Sequence, residues 1–410
     1  MYKNRLITAK LQNLVAHFPC VVISGARQVG KSTLLRHIFP NAKEFVVFDP
    51  VIDIENARQD PELFLNNHQT PLILDEIQYA PELIPSIKRR IDQDRKPGMY
   101  ILTGSQQWQV LKGISESLAG RAVFLDLEGF SLNELGTSTT NTWLYTWLTN
   151  PSAMIQSPPP RHLLNQSVFE ILWRGFLPEA TQLPLELLPD FHGAYQRTYL
   201  ERDVRLMGEL ADWHQFGRFL RLSAACTSNE INYSQLGRDI GLTPQTAQRW
   251  LSLLEATFQW TAIPAFSGNG TKRVSQKAKG YMADTGLTCF LQAISSPKAL
   301  ASHPYWGAIF ETAVVNEIRK LATILPFKLA MYHWRSNGGA EVDLILEKDS
   351  QFYPIEIKAN ASPHRQHTSG ITAFRKTYPH LNIQKGLVIA PCTQFLPISE
   401  NDYALPWDSQ

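Results

Sequence analysis

Cysteine is scarce in this chain: Cys20, Cys226, Cys289 and Cys392 stand far apart among 410 residues, with no C-x-x-C spacing. That excludes a disulfide framework and a cysteine-built zinc site, and makes a reducing cytoplasm the expected setting. No apolar run approaches the roughly 18 residues that a membrane span needs. The opening Met-Tyr-Lys-Asn-Arg-Leu-Ile-Thr-Ala-Lys carries charges but lacks the apolar stretch of a secretory leader, so neither a leader nor a membrane partner is expected. Charge of one sign is also lacking, for 39 Lys and Arg face 37 Asp and Glu and leave a net +2. Any contact with nucleic acid must therefore come from local patches. With 44% hydrophobic and 19% charged residues the composition is globular, and 410 residues call for two or three domains.

What is present is a complete G-x-x-x-x-G-K-[ST] segment, Gly25-Ala26-Arg27-Gln28-Val29-Gly30-Lys31-Ser32, followed by Thr33. It comes after the apolar run Cys20-Val21-Val22-Ile23-Ser24, which reads as a buried strand, and before a helical pattern reaching Phe39. The chemistry explains the residue types. Gly25 and Gly30 let the backbone turn tightly and aim N–H groups at a β-phosphate, Lys31 reaches the β/γ oxygens, and Ser32 offers a hydroxyl to Mg²⁺. A helix N-terminus beneath the phosphates adds its dipole. Binding of ATP or GTP follows, and no Asn-Lys-x-Asp segment is present to read guanine.

A second strand, Glu44-Phe45-Val46-Val47-Phe48-Asp49, precedes a third, Pro71-Leu72-Ile73-Leu74-Asp75-Glu76. In a parallel α/β sheet the third strand's end lies beside the phosphate loop, so Asp75 is the expected Mg²⁺ ligand and Glu76 the group that polarises water. A fourth strand, Met99 to Gln106, ends in small polar residues, with Ser105 the candidate γ-phosphate sensor and Thr103 close behind. Arg121 lies between a helix and the strand Ala122–Leu127. It reads either as an arginine that reaches a phosphate, in its own subunit or a neighbour's, or as a surface residue pairing with Glu116 or Glu128. The succession of strands and helices fits a three-layer α/β sandwich.

In this order, Gly-Ala-Arg-Gln-Val-Gly-Lys-Ser-Thr, Leu-Asp-Glu-Ile-Gln, Leu-Thr-Gly-Ser and Ser-Leu-Ala-Gly-Arg resemble the predicted AAA-type prokaryotic ATPases that carry a C-terminal domain of unknown function. The likeness continues through Arg174-Gly175-Phe176-Leu177-Pro178-Glu179, Tyr199-Leu200-Glu201-Arg202-Asp203 and Ala283-Asp284-Thr285-Gly286-Leu287, so it covers nearly the whole chain. The resemblance implies a P-loop NTPase domain of AAA type and ATP rather than GTP as the nucleotide. It leaves the biological role open.

The stretch from Gly136 to Pro160 is rich in Thr, Asn, Ser and Pro and reads as an exposed loop, with Trp143 and Trp147 as a local packing pair. Helices of a lid or linker are expected from Leu163 to Leu222, where Glu201 and Arg202 read as a solvated or domain-bridging face. Beyond them, Ser234 to Ile240 is expected as a short helix stopped by Gly241, with Thr243-Pro244 opening the next. The pair predicts a helix-turn-helix of winged type that exposes Gln245, Thr246, Gln248 and Arg249, the side that reads bases in DNA-binding versions, with a lid or protein contact as the alternative. Lys272, Arg273, Lys277 and Lys279 are expected to meet DNA phosphates.

Near the C-terminus, Glu311 falls in a helical pattern, Asp343 near the start of a strand, and Glu356 and Lys358 two apart on the next strand, hence on one face. Acid, then acid-x-lysine on adjacent strands, resembles the PD-(D/E)xK nucleases, with Val342 in place of the family's proline. That resemblance implies Glu311, Asp343 and Glu356 as Mg²⁺ ligands and Lys358 as the residue orienting water. The alternative is a solvated hairpin bearing an ion pair. His303, His333, His364 and His367 have no metal-ligand spacing and read as ordinary packing or surface residues.

The boundaries expected from this reading are an ATPase domain over 1–135, a helical linker over 136–225, a winged-helix-like segment over 226–265 and a restriction-endonuclease-like α/β domain over 266–410. The expected function is Mg²⁺-dependent ATP hydrolysis by Lys31, Ser32, Asp75 and Glu76, coupled to a domain acting on DNA. A non-cleaving, nucleotide-driven switch is the alternative, and a homo-oligomer is a further expectation.

Overall fold

The computed structural model describes residues 2–40, 44–48, 55–105, 118–136, 142–198, 212–268 and 277–410, with residues 54, 199 and 200 by backbone only. Asp49, Gln106, Glu116, Glu201, Arg202, Lys272 and Arg273 lie outside the described residues.

The N-terminal third is a parallel sheet. Helix α1 (Thr8–His17) leads to β1 (Cys20–Ser24), the phosphate-loop segment and α2 (Lys31–Ile38). Then come β2 (Glu44–Val47), β3 (Leu72–Asp75), α3 (Leu83–Gln93), β4 (Tyr100–Gly104) and β5 (Ala122–Asp126). The spatial order is β2-β3-β4-β1-β5 and every pairing is parallel. Because side chains alternate along a strand, Val21 and Ile23 of β1 enter one apolar core while Cys20 and Val22 enter another. The sheet is thus buried on both faces, as the three-layer expectation requires.

The segment from 142 to 156 departs from expectation, whereas 157–160 is non-helical and largely exposed. The former segment forms helices Trp143–Thr149 and Pro151–Gln156 rather than an exposed loop. Trp147 is fully buried and meets Tyr403 edge-on at 6.4 Å, and the Trp143 N–H donates to the carbonyl of Gln410 at 2.9 Å. The partners that bury this polar stretch lie some 250 residues further along the chain.

Helices α4 (Val168–Arg174) and α5 (Leu188–Tyr195) follow, then α6 (Trp213–Ala225), β6 (Asn229–Glu230), α7 (Tyr233–Ile240), α8 (Pro244–Ala256), β7 (Trp260–Ile263) and β8 (Lys279–Met282). Strand β8 is the centre of an antiparallel sheet with order β6-β8-β7. Helix α7 starts at Tyr233, one residue before the expected Ser234, because the Asn232 side chain caps it by accepting the Gln235 N–H. Gly241 closes it at φ 75°, and Thr243 caps α8 by accepting the Thr246 N–H, with Pro244 in its first turn. Gln245, Gln248 and Arg249 face outward from α8.

The last part contains α9 (Thr285–Leu291), α10 (Trp306–Thr323), β9 (Ala330–Arg335), β10 (Glu341–Lys348), β11 (Gln351–Ile357), α11 (Ser369–Thr377), β12 (Asn382–Ile383), β13 (Gly386–Ala390), β14 (Leu396–Pro397) and β15 (Asp402–Pro406). Strands β9, β10 and β11 are antiparallel, whereas β11, β13 and β15 run parallel, in the order β14-β15-β13-β11-β10-β9. The β9–β10 register shifts between Val342 and Ile345, so Asp343 and Leu344 lie at an irregularity of the pairing. No helix among the described residues is long and apolar enough to cross a membrane.

Candidate functional site

The first site is the turn between β1 and α2. At Gly25 an added Cβ would come within 2.1 Å of the Leu127 carbonyl, and Gly30 sits at φ +94°, so both positions need glycine. Ala26 and Val29 are buried beneath the loop, Gln28 takes φ 61°, and the Arg27 guanidinium donates to the Tyr79 hydroxyl at 2.9 Å. The Lys31 ammonium folds back onto the loop, donating to the carbonyls of Gly25 and Ala26 at 2.9 Å each. Lys31, Ser32 and Thr33 line a cleft of about 460 Å³, together with Gln28, Gly30 and Glu76.

Insertion of β4 between β1 and β3 sets the acids. Thr103 stands opposite Ile23 of β1, and its hydroxyl donates to Asp75 while accepting the Glu76 N–H at 3.1 Å. Asp75 is 2% exposed at the end of β3, and Glu76 leaves the strand with φ 60° and ψ 46°. The Gln78 amide bridges the Glu76 carboxylate and the Ser105 hydroxyl, the latter at 3.1 Å. Asp75, Glu76, Thr103 and Ser105 therefore form one hydrogen-bonded group beside the phosphate loop. Arg121 lies elsewhere: it grips Asp92 through Nε at 2.6 Å and Nη2 at 2.8 Å. Its ion-pair partner is Asp92, not Glu128, which binds Arg319 instead at 3.0 Å.

Two parts of this site were missed in the sequence. Arg5, 6% exposed, donates to the Val29 carbonyl at 2.7 Å and the Glu128 carbonyl at 2.6 Å, and pairs with Glu134 at 3.0 Å. It clamps the rear of the phosphate loop to the segment after β5. A lone arginine near an N-terminus gives no signal of this. Pro178 and Glu179 line the cleft, brought there by a loop whose Phe176 N–H donates to Asp284 at 2.7 Å. Asp284 also caps α9 through the Leu287 N–H at 2.9 Å. Two motifs that carried only a family likeness thus meet across the nucleotide-cleft wall.

The second site gathers Glu311 of α10, Asp343 of β10, and Glu356 and Lys358 at the end of β11. Lys358 Nζ lies 2.6 Å from Glu356 and 3.4 Å from Asp343. The Ile357 N–H donates to Asp343 at 2.8 Å. An unforeseen member is Lys279 of β8: it is buried, 2.6 Å from Glu311 and 3.4 Å from Asp343, and does not face DNA as expected. Tyr281 donates to Glu311 at 2.8 Å, and Ser228 donates to the other oxygen of that carboxylate. Burial raises the Asp343 carboxyl, but Lys279, Lys358 and the Ile357 N–H together outweigh it and hold the group below the usual range. Glu356 is pushed well up by burial and by the Asp343 charge beside it, and burial with the Asp343 charge also raises Glu311. Burial lowers both lysines; the adjacent carboxylates reverse this and leave both raised.

These carboxylates do not fit a divalent ion as they stand. Among the described residues no group of three or more His, Cys, Asp or Glu side chains is disposed to hold a metal. The physical reason is local, since ammonium groups already occupy the space between Glu311 and Asp343 and between Asp343 and Glu356.

Helix α10 joins the two sites. Glu311 lies in its first half, whereas Glu317 accepts the Leu132 N–H at 3.0 Å, Arg319 pairs with Glu128, and Lys320 donates to the Phe130 carbonyl at 2.8 Å.

Residues 17–136 match the family model described as AAA domain. Residues 165–298 and 306–409 match two models described as domains of unknown function, DUF8612 and DUF4143. Uncharacterized proteins of Mycobacterium bovis and Mycobacterium tuberculosis are each 26% identical over 410 residues, covering all of this chain and 84% of theirs. The Walker-type ATPase PABY2304 of Pyrococcus abyssi is 16% identical, covering 70% of this chain and 94% of its own, with a TM-score of 0.36. Thermotoga maritima RuvB is 17% identical, covering 66% and 91%, with a TM-score of 0.29. On the family match and the parallel sheet, the N-terminal third is an AAA-type domain with the P-loop NTPase-like α/β fold.

Proposed function

We propose that this protein binds and hydrolyses ATP and uses the nucleotide state to govern a DNA-engaging, non-cleaving C-terminal half. One observation carries the first part: Lys31 and Ser32 open onto the same 460 Å³ cleft as Glu76, while Asp75 is held beside Glu76 by Thr103. On nucleotide entry the Lys31 ammonium exchanges two neutral carbonyls for β- and γ-phosphate oxygens, a stronger, charge-assisted contact. Glu76, fixed by Gln78, orients and polarises the attacking water, and Ser105 on the same amide senses the terminal phosphate. The hard oxygens of Ser32 and Asp75 suit Mg²⁺, which when bound with ATP neutralises the phosphates. Arg121, remote from Lys31 in its own chain, remains the proposed finger into a second copy.

DNA engagement is supported by the order helix, strand, helix, helix, strand, strand from α6 to β8, that of a winged helix, with Gln245, Gln248 and Arg249 outward on its second helix. The C-terminal order, helix, three antiparallel strands, helix and parallel strand, supports a nuclease-like fold around Asp343, Glu356 and Lys358. The lysine contacts already made by all three carboxylates favour the switch over the cutter. The test is phosphate release with and without duplex DNA, alongside gel analysis of the DNA in Mg²⁺ or Mn²⁺. DNA-stimulated hydrolysis with intact DNA is expected; cutting that Asp343→Ala abolishes would overturn the non-cleaving part.

A further inference from the structure

We infer that Lys279 is the resident cation of the C-terminal carboxylate cluster: its ammonium takes the place of a divalent ion and fastens the β6–β8–β7 sheet to helix α10 and strand β10. The inference deepens the non-cleaving reading of this domain and is independent of the nucleotide reading.

Lys279 reaches the cluster from a different sheet. Its backbone is the end of the central strand β8, paired with Glu230 on one side and Ile263 on the other. Its side chain is 9% exposed and meets Glu311 at 2.6 Å and Asp343 at 3.4 Å. Other donors reach the same carboxylates. Glu311 receives the Tyr281 and Ser228 hydroxyls, and Asp343 receives the Ile357 N–H and lies 3.4 Å from Lys358.

Three carboxylates and two ammonium groups share this volume. A divalent ion needs several oxygens at about 2.0–2.6 Å, and Asp343 is the residue through which such a shell would pass. With ammonium groups on both of its oxygens, a third cation is repelled from the same space. Entry of an ion therefore requires the Lys279 side chain to leave. Departure would expose two buried carboxylates to one another and break the side-chain link from β8 to Asp343, a cost that falls on breaking buried pairs one-sidedly. Lys358 alone does not do this work, since it stands between Asp343 and Glu356 and leaves Glu311 without a counter-charge.

The test is Mn²⁺ uptake by nucleotide-free, full-length protein, followed by the electron paramagnetic resonance of the free ion. Wild type and Asp343→Asn are expected to take up equal amounts. Lys279→Met is expected to gain one site, roughly tenfold or more tighter than any in wild type, that Asp343→Asn removes. Lys279→Arg keeps a cation and is expected to gain none. Uptake by wild type that Asp343→Asn abolishes would overturn the inference, as would a folded Lys279→Met that gains no site. Should Lys279→Met fail to fold while Lys279→Arg folds normally, the fastening role is supported and the wild-type titration decides the exclusion of metal. DNA cleavage is not a readout here, so failure of this inference is distinct from failure of the non-cleaving reading.

Discussion

The nucleotide cleft and the C-terminal cluster use the same side chains, acids at strand ends and a lysine a few ångströms away, and leave them in opposite states. In the cleft, Lys31 rests on the loop's own carbonyls and opens onto 460 Å³ of space. In the cluster, every carboxylate faces an ammonium. Peptide carbonyls are weak competitors for phosphate, so the two bonds that Lys31 makes to the loop can be exchanged for bonds to an anion. A lysine parked between two buried carboxylates is part of the framework. Chemical identity alone therefore does not distinguish a reactive site from a structural one; the charge of the resting partner does.

The comparison is tested most strongly at Lys31. Lys31→Ala is expected to lower ATP turnover by about 10² to 10³-fold, measured as phosphate release, with little change in melting temperature. A large melting shift would place Lys31 with the framework lysines. The clamp behind the loop is expected to show the reverse behaviour. Arg5→Ala leaves Glu134 buried and unpaired, a loss of about 3 kcal/mol or more, visible in urea unfolding. Unchanged unfolding would remove Arg5 from the framework.

Glu317 gives a pH-dependent test. Burial raises its carboxyl to about 7 in the folded protein, with nearby Lys320 lowering it only in part. A raised acid favours the folded state most fully below the unfolded value near 4.5, and this contribution is lost as pH rises toward 7. Glu317→Gln is therefore expected to melt above wild type at pH 8, by an amount worth of order 1–3 kcal/mol, with the gap closing toward pH 5. A constant gap across that range would contradict the cause given. The smallest effect is expected at Arg121, whose exposed pair with Asp92 lies outside both sites. Arg121→Ala should leave melting unchanged, while mixtures with Glu76→Gln subunits should regain hydrolysis if the arginine acts on a neighbour. No recovery at any ratio would count against that role.

The phosphate loop and the Asp75-Glu76 pair were legible because each is a local pattern, a few residues whose chemistry and strand context are continuous in the chain. The acid-x-lysine of Glu356 and Lys358 was legible for the same reason. Lys279 was not, since its partners lie 32 and 64 residues away and the sequence around it reads as a basic surface. The strand order was also hidden: nothing local says that β4 slots between β1 and β3, and that placement is what joins Thr103 to Asp75. Residues 142–156 were misread because composition reports polarity, while burial is decided by the strand around Tyr403 and by the chain end.

Among its ties, helix α10 is bolted to Lys279 through Glu311 and to the segment behind the phosphate loop through Glu317, Arg319 and Lys320. From 311 to 319 the axial rise is about 12 Å, and a helix that short is stiff along its axis. A shift of residues 128–132 is therefore delivered to Glu311 nearly undiminished, unless one of the bolts shears first. Which bolt yields under load determines whether the two halves of the molecule behave as one machine or as neighbours.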